Sequence, residues 1–477
     1  MTHSGLAADL AAIVGPRWIR IRPAELRTFE SDGLPTHAAR PRLVVLPGSR
    51  AEVVQVVRLL HRTGAPWVAR GAGTGLSGGA LAEDAVLIVL TRLTRIISLD
   101  PVRRRAVVEP GVVNARLSDA ALPLGLHYPP DPSSQSACTI GGNVAENAGG
   151  PHCLKYGVTT NYVASLLVVL PDGSEVRLGS PQGEPWGPDL TGLFVGSEGM
   201  FGIALEITVR LVPLPSSIRT LLADFSTVRS ASEAVGAIIA AGIVPAALEM
   251  MDQACIRAVE ASIYAAGYPV DAGAVLLAEL DGPAEQVEAE SAAVEQLLRE
   301  KGARGVRAAS TPEERARLWQ GRKKAFGATG RIAPDLVVQD AVVPRSALPE
   351  VLDRIGAIGR EYAITISNVF HAGDGNLHPN ISFDRRDRDL SERVRLASAE
   401  IMKACVAAGG SITGEHGVGA DKREYMPLIF EPATLATMCA VRRVFDPGER
   451  ANPGKVVPVH YCREWTRAPA RNGAGRE

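Results

Sequence analysis

Arg70-Gly-Ala-Gly-Thr-Gly-Leu-Ser-Gly-Gly79 is the stretch on which the fold turns. It contains Gly73-Thr-Gly-Leu-Ser-Gly78, a literal GxGxxG, directly after a strand predicted at Trp67–Arg70. In a dinucleotide-binding βαβ unit the third glycine opens a helix, and a parallel crossover needs about a dozen residues or more. Only Gly79–Asp84 separate this loop from the next strand-like run, Ala85–Leu90, so no helix fits and that unit is set aside. The loop reads instead as a nest of backbone N–H groups able to cradle a pyrophosphate without a helix dipole. Thr74 and Ser77 would add hydroxyl donors.

Upstream, Pro41–Leu46 is strand-like, and Ser49 with Glu52 forms a capping box for a helix that Gly64 ends. Residues 1–37 read as a helical lead-in. Downstream, strands are predicted at Ile96–Leu99 and Ala106–Val108, and a short helix at Asn114–Leu122. Three prolines exclude regular structure from Tyr128-Pro-Pro-Asp-Pro-Ser-Ser134. A second glycine-rich stretch, Thr139-Ile-Gly-Gly-Asn-Val-Ala-Glu-Asn-Ala-Gly-Gly150, follows it. Val163–Leu170 and Glu175–Leu178 form a hairpin about Asp172-Gly173, and Ile203–Val212 is one more strand. Pro213 and Pro215 mark a boundary, giving a domain at 38–214 and a second at 215–458. In the second, strands near Thr220–Phe225, Ala274–Leu280, Leu336–Val343 and Ala363–Phe370 alternate with helices at about 230–241, 284–300 and 346–360. A further helix at about 391–408 and the motif Phe445-Asp-Pro-Gly-Glu-Arg-Ala-Asn-Pro-Gly-Lys455 come last. The tail 459–477 is polar, and disorder is expected there.

The 477 residues suffice for two or three domains. With 46% apolar and 22% charged residues the chain is globular, and 51 basic against 52 acidic side chains leave no electrostatic footprint for nucleic acid. No apolar run approaches the roughly 20 residues of a membrane span, and no signal peptide is visible. The six cysteines lie at 138, 153, 255, 405, 439 and 462 without a CxxC, which argues against a disulfide framework or a cysteine-ligated iron–sulfur cluster. A cytoplasmic protein without a membrane span is expected.

Two polar clusters stand out in the second half. His371-Ala-Gly-Asp-Gly-Asn-Leu-His378 follows an apolar strand, and Gly373-Asp374-Gly375 can turn the chain so that both imidazoles approach one point. Thr413-Gly-Glu-His-Gly-Val-Gly419 offers Glu415 and His416 from another glycine-rich loop. Two histidines and a carboxylate suit a divalent zinc, manganese or iron ion. In Trp319-Gln-Gly-Arg-Lys-Lys-Ala-Phe326, Arg322 carries the planar fork that matches a carboxylate.

Three more segments share the small-residue texture of the first loop: Pro132-Ser-Ser134 with Thr139–Gly150, then Val195-Gly-Ser-Glu-Gly-Met-Phe-Gly-Ile203, then Asn452-Pro-Gly-Lys455. In this order, over residues 38–458, they resemble the PCMH-type FAD-binding flavoproteins of the vanillyl-alcohol oxidase kind. The likeness is to the branch holding D-lactate dehydrogenases and the glycolate oxidase catalytic subunit. The resemblance implies an α+β protein: a two-subdomain FAD-binding domain, then a substrate or cap domain with a ferredoxin-like sheet, then a short helical C-terminal segment. It implies FAD held by Arg70, Gly71, Gly73, Thr74, Gly75, Leu76 and Ser77 at the pyrophosphate. Pro130, Asp131, Pro132, Ser133, Thr139, Ile140, Gly141, Gly142, Asn143, Glu146, Asn147, Gly149 and Gly150, with Glu198, Gly199, Gly202 and Ile203, would line the isoalloxazine and adenine ends. Asn452 and Lys455 complete the set. Some members of the family attach the flavin through a histidine; His152 lies near the second stretch but reads as a solvated or core residue, so no covalent link is expected.

The same resemblance matches His371, His378 and Glu415 to metal ligands, His416 to a base, and Arg322, helped by Asn380, to the residue that orients a substrate carboxylate. The implied reaction is metal-assisted oxidation of a small D-2-hydroxy acid to the 2-oxo acid, with hydride passing to the flavin. The 2-hydroxyglutarate branch has a threonine four residues after the arginine and a lysine further on; this chain has Phe326 and Val337-Val338 there. A distal carboxylate would lack partners, which favours a small or apolar-tailed acid. Reoxidation would need a quinone, cytochrome, electron-transfer flavoprotein or iron–sulfur subunit, in a homodimer or hetero-complex, or else oxygen. The alternatives are a non-catalytic electron-relay subunit, a metallohydrolase without flavin, and the alditol oxidase or ether-lipid synthase type of chemistry.

Overall fold

The computed structural model describes residues 3–34, 36–180 and 187–458; the tail 459–477, with Cys462, lies outside the described residues. The first half holds two main sheets. In one, the strands Ile19–Arg20, Leu43–Val45, Val86–Val89 and Trp67–Arg70 lie side by side in that order, the last three mutually parallel. The helix Arg50–Thr63 buries Val53, Val54, Val56, Val57, Leu59 and Leu60 against them. Its capping box is half formed: Ser49 Oγ accepts from Glu52 N at 3.3 Å, but the Glu52 carboxylate takes Gly48 N at 2.7 Å. Gly64 closes the helix in the left-handed region at φ 71°.

Trp67–Arg70 and Val86–Val89 are parallel although no helix joins them. The absence of a helix matches the sequence reading. The intervening loop nonetheless makes the parallel return as open coil, because its length alone spans the strand. The second sheet, of five antiparallel strands, contains the hairpin Val163–Val169/Glu175–Gly179 and the strand Ile203–Arg210.

The second glycine-rich stretch is not an open loop. Ile140–Glu146 is helical, capped by Thr139 Oγ1, which accepts from Gly142 N at 3.3 Å. The cap and the burial of Ile140 and Val144 outweigh the helix cost of Gly141 and Gly142, about 1 kcal/mol each.

From Ser217 onward the chain builds a nine-stranded sheet whose pairings are all antiparallel, with the helices Val228–Ala240, Ala284–Glu300, Leu348–Glu361 and Arg388–Ala407 packed on it. The run Leu336–Val343, expected as one strand, splits into Asp335–Val338 and Ala341–Val342, with Gln339 and Asp340 buried at the break. Several elements escaped the sequence reading, among them the strands Ala247–Asp252 and Ala303–Ala308 and the helices Gln253–Glu260, Pro312–Lys323 and Pro432–Phe445.

The last helix, Pro432–Phe445, bridges the cores of the two halves: Leu435 and Cys439 join one, and Phe445 stacks on Phe201 of the other at 4.5 Å between centroids. The chain then returns to the first half, where Ala451 bridges Trp67. No helix among the described residues is long and apolar enough to cross a membrane.

Candidate active site

A single cavity of about 720 Å³ runs from the glycine loops to the histidine cluster. One wall is Arg70–Leu76 with Gly79. A second is Pro132–Ser134 with Thr139, Gly141, Gly142, Asn143, Glu146 and Gly149. A third is Glu198, Gly199, Gly202 and Ile203. The far end holds Arg322, Val338, Val369, His371, His378, Asn380, Glu415 and His416. Three glycine-rich walls and a polar cluster drawn from several stretches of the second half therefore face one space.

Eight of the expected contact residues do other work. Ser77 lies behind its loop, its carbonyl accepting from Ala420 and Asp421. The Pro130 carbonyl accepts from Asn114 Nδ2 at 2.9 Å. Ile140 is core, and Asn147 ends its helix in the left-handed region at φ 51° while its Oδ1 accepts from Thr160 N. A Cβ at Gly150 would lie 2.6 Å from the Asp131 backbone. Asn452 Nδ2 donates to the carbonyls of Gly79 and Glu198, and Lys455 Nζ to Leu81 O at 2.9 Å.

Asp131 pairs with His152 Nδ1 at 2.9 Å and Lys323 Nζ at 3.2 Å. His152 Nε2 reaches Glu279 at 3.3 Å, so this half-buried ring sits between two carboxylates and not in an apolar core. Burial opposes its charge, but the two carboxylates raise its pKa to about 10.

The glycine walls fit a flat, phosphate-bearing cofactor. Among the described residues no protein acceptor takes the backbone N–H groups of Gly71 to Leu76. A Cβ at Gly75 or Gly199 would meet no neighbour closer than 3.8 Å, so a side chain there would occupy the cavity itself. Glu146 and Glu198 add two carboxyls to this wall. Burial raises both, Glu198 to about 7 even though it accepts Val418 N and Gly419 N at 2.8 Å each.

At the far end the turn at Asp374-Gly375 folds His371 back on Asn376 and sets the rings of His371 and His378 edge to face, 5.1 Å apart. His371 Nε2 and His378 Nε2 converge on Glu415 Oε1 at 3.1 and 3.3 Å. A second convergent set, Asp340, His378 and His416, shares His378. Three ligand atoms within 4.8 Å of one another, from two imidazoles and a carboxylate, are a donor set a divalent cation fits. The rings of His378 and His416 stack at 4.9 Å, and neither has a hydrogen-bond partner at Nδ1, although Asp340 Oδ1 lies 3.7 Å from that of His378. Burial, with His378 beside it, holds His416 down to about pKa 4 against the pull of Asp340. Asn380 Nδ2 donates to His378 O, leaving Oδ1 without a partner.

Sequence reasoning missed three buried charges that hold this cluster. Asp340 accepts from Thr413 Oγ1, Gly414 N, Glu415 N, His416 N and Lys422 Nζ, binding the whole ligand loop to one carboxylate. Burial opposes that charge, but Lys422 and the neighbouring imidazoles hold its pKa well below the carboxylate range. Glu249 contacts both Arg322 and His371. The only signal for either acid was its position inside an apolar run. Phe326 and Val338 do line the cavity, as expected from the departure noted in the sequence, but Lys324 lines it too.

Comparison with known proteins is consistent with this geometry. Residues 214–456 match the family described as FAD linked oxidases, C-terminal domain, and residues 41–179 match FAD binding domain. The glycolate oxidase subunit GlcD of Escherichia coli (strain K12) is 49% identical over 92% of this chain and 89% of its own length. The Bacillus subtilis protein of the same name is 40% identical over 96% and 97%. The D-lactate dehydrogenase of Anaerostipes hadrus is 34% identical over 88% and 90%. The fold is also that of p-cresol methylhydroxylase solved with substrate bound, at TM-score 0.82 and 16% identity over 96% of this chain and 97% of that one. With loops, cavity and sequence all in register, the chain belongs to the FAD-linked oxidases.

Proposed function

We propose that the protein oxidises a small D-2-hydroxy acid, of the glycolate or D-lactate type, to the 2-oxo acid. One observation carries the reading: the glycine walls suited to FAD and the Arg322–His371–His378–Glu415–His416 cluster open into the same cavity. The relatives named glycolate oxidase subunit and D-lactate dehydrogenase support it. When bound, FAD supplies the hydride acceptor and a divalent metal on His371, His378 and Glu415 the Lewis acid. Arg322 binds the substrate carboxylate, and Asn380, also on the cavity wall, helps it to orient the acid beside the cluster. His416, a neutral ring with a free nitrogen, receives the hydroxyl proton. Val338 and Val369 exclude water and close the apolar side, which suits a short or methyl-tailed acid.

Both ring nitrogens of His152 are engaged, which favours non-covalent FAD. The sequence carries no CxxC to hold an iron–sulfur cluster of its own, which supports electrons leaving to a separate acceptor: a quinone, cytochrome, electron-transfer flavoprotein or iron–sulfur partner subunit. Domains at 38–214 and 215–458, in a cytoplasmic protein peripheral to a membrane only through a partner, complete the reading. The test is a visible spectrum recorded anaerobically as glycolate, D-lactate, L-lactate and D-malate are added in turn. Bleaching of the flavin bands by glycolate or D-lactate, abolished by a chelator, is expected. Bleaching by D-malate alone would move the specificity to Lys324 and a longer acid. Absence of bleaching by any of them would overturn the proposal.

A further inference from the structure

We propose that Glu249 is the positioning residue of this site, a single carboxylate that aims His371 at the metal and holds Arg322 for the substrate; the inference rests on the metal and substrate reading above. Glu249 is 1% exposed, in the strand Ala247–Asp252, and the sheet register sets it directly opposite His371. His371 Nδ1 lies 2.7 Å from Glu249 Oε1, and Arg322 NH2 pairs with Oε2. Glu249 itself is not on the cavity wall, so it acts through its two neighbours.

Two groups face His371 Nδ1, the Glu249 carboxylate at 2.7 Å and Arg322 NH2 at 3.4 Å; the carboxylate is much the nearer and can only accept, so this nitrogen carries the proton. That leaves Nε2 as the nitrogen turned toward Glu415 and the convergent set. The same negative charge sits on the guanidinium meant for the substrate. It fixes one edge of the fork, leaves Nε without a partner, and offsets part of the positive charge a carboxylate would feel. Glu249 thus strengthens the cation side of the site and weakens its anion side. A residue that merely filled space would move both affinities the same way.

The experiment uses the full FAD-loaded chain with Glu249→Gln and, because a buried arginine deprived of its partner can unfold the site, Glu249→Asp as well. Zinc affinity is read by competition with a chelator. Propionate, which has a carboxylate but no hydroxyl, is titrated calorimetrically into metal-free protein. For Glu249→Gln the expected result is a ten- to hundredfold loss of zinc affinity, with propionate binding tightened several-fold. Glu249→Asp keeps the ion pair but withdraws from His371, so zinc affinity falls while propionate binding stays within about twofold of wild type. Zinc affinity within about twofold of wild type in a folded variant would overturn the inference and leave the proposed function standing. Wild-type protein that binds no zinc, manganese or iron(II) would overturn the metal reading itself, and this inference with it.

Discussion

At Gly75 one isopropyl group should separate a protein that folds from a protein that holds its cofactor. Its backbone is not in the left-handed region, and a Cβ there has no contact closer than 3.9 Å. Gly75→Val is therefore expected to keep the wild-type melting temperature to within a few degrees while FAD retention, read from flavin absorbance after gel filtration, falls at least about tenfold. Asp252 yields a pH prediction. Burial outweighs its bonds from Cys255 N and Asn368, raising its pKa from 3.8 to about 6. A raised folded-state pKa means stability that is full below about pH 4 and lost as pH rises through 6, roughly 3 kcal/mol at most. Asp252→Asn should flatten that slope between pH 4 and 6 in denaturant titrations, whatever its absolute offset. Single residues were unequally legible. His371, His378, Glu415 and Arg322 announced themselves by flanking glycines or a matching motif. Glu249 and Asp340 look like the outward face of a strand, and only partners 122 and 75 residues away give them meaning.

The loop Thr413–His416 shows how an element without regular hydrogen bonding is held: its N–H groups share the Asp340 carboxylate, and Lys422 neutralises that charge. Removing the cation alone leaves a buried, uncompensated carboxylate. Lys422→Met is expected to cost about 3–5 kcal/mol in urea unfolding, and Asp340→Asn added to it should recover part of that loss. A simple additive cost would contradict the pairing. Elements with strong periodicity were readable, among them Arg50–Thr63, Ala284–Glu300 and Leu348–Glu361. Ile140–Glu146 was not, because its two glycines speak for a loop while its stability comes from a cap and two buried side chains. The open parallel return after Arg70 was hidden for a related reason: strand direction depends on the register of neighbours, which a loop's composition does not record.

Across the whole molecule, the halves meet around the cavity and are tied together there. Glu198 accepts two N–H groups from the loop after His416, and His152 joins Asp131 of the first half to Glu279 of the second. The change of texture near Pro213 made two regions visible in the sequence. The return of residues 445–455 to the first half was not visible as a fold feature, since a short Asn-Pro-Gly-Lys motif says nothing about which surface it will cover. A chain of residues 1–214 lacks Asn452 on Gly79 and Glu198, Lys455 on Leu81, and Ala451 in the first core. Expressed alone, it is expected to retain under about a tenth of the FAD held by residues 1–458, measured by flavin content at equal protein. The same strap has a consequence for synthesis. The first half leaves the ribosome about 240 residues before the piece that seals it, roughly 12–50 s at ordinary elongation rates. During that interval the nascent flavin pocket stands open, so cofactor capture is timed to the end of translation, and a stalled ribosome leaves behind an unsealed pocket rather than a small working enzyme.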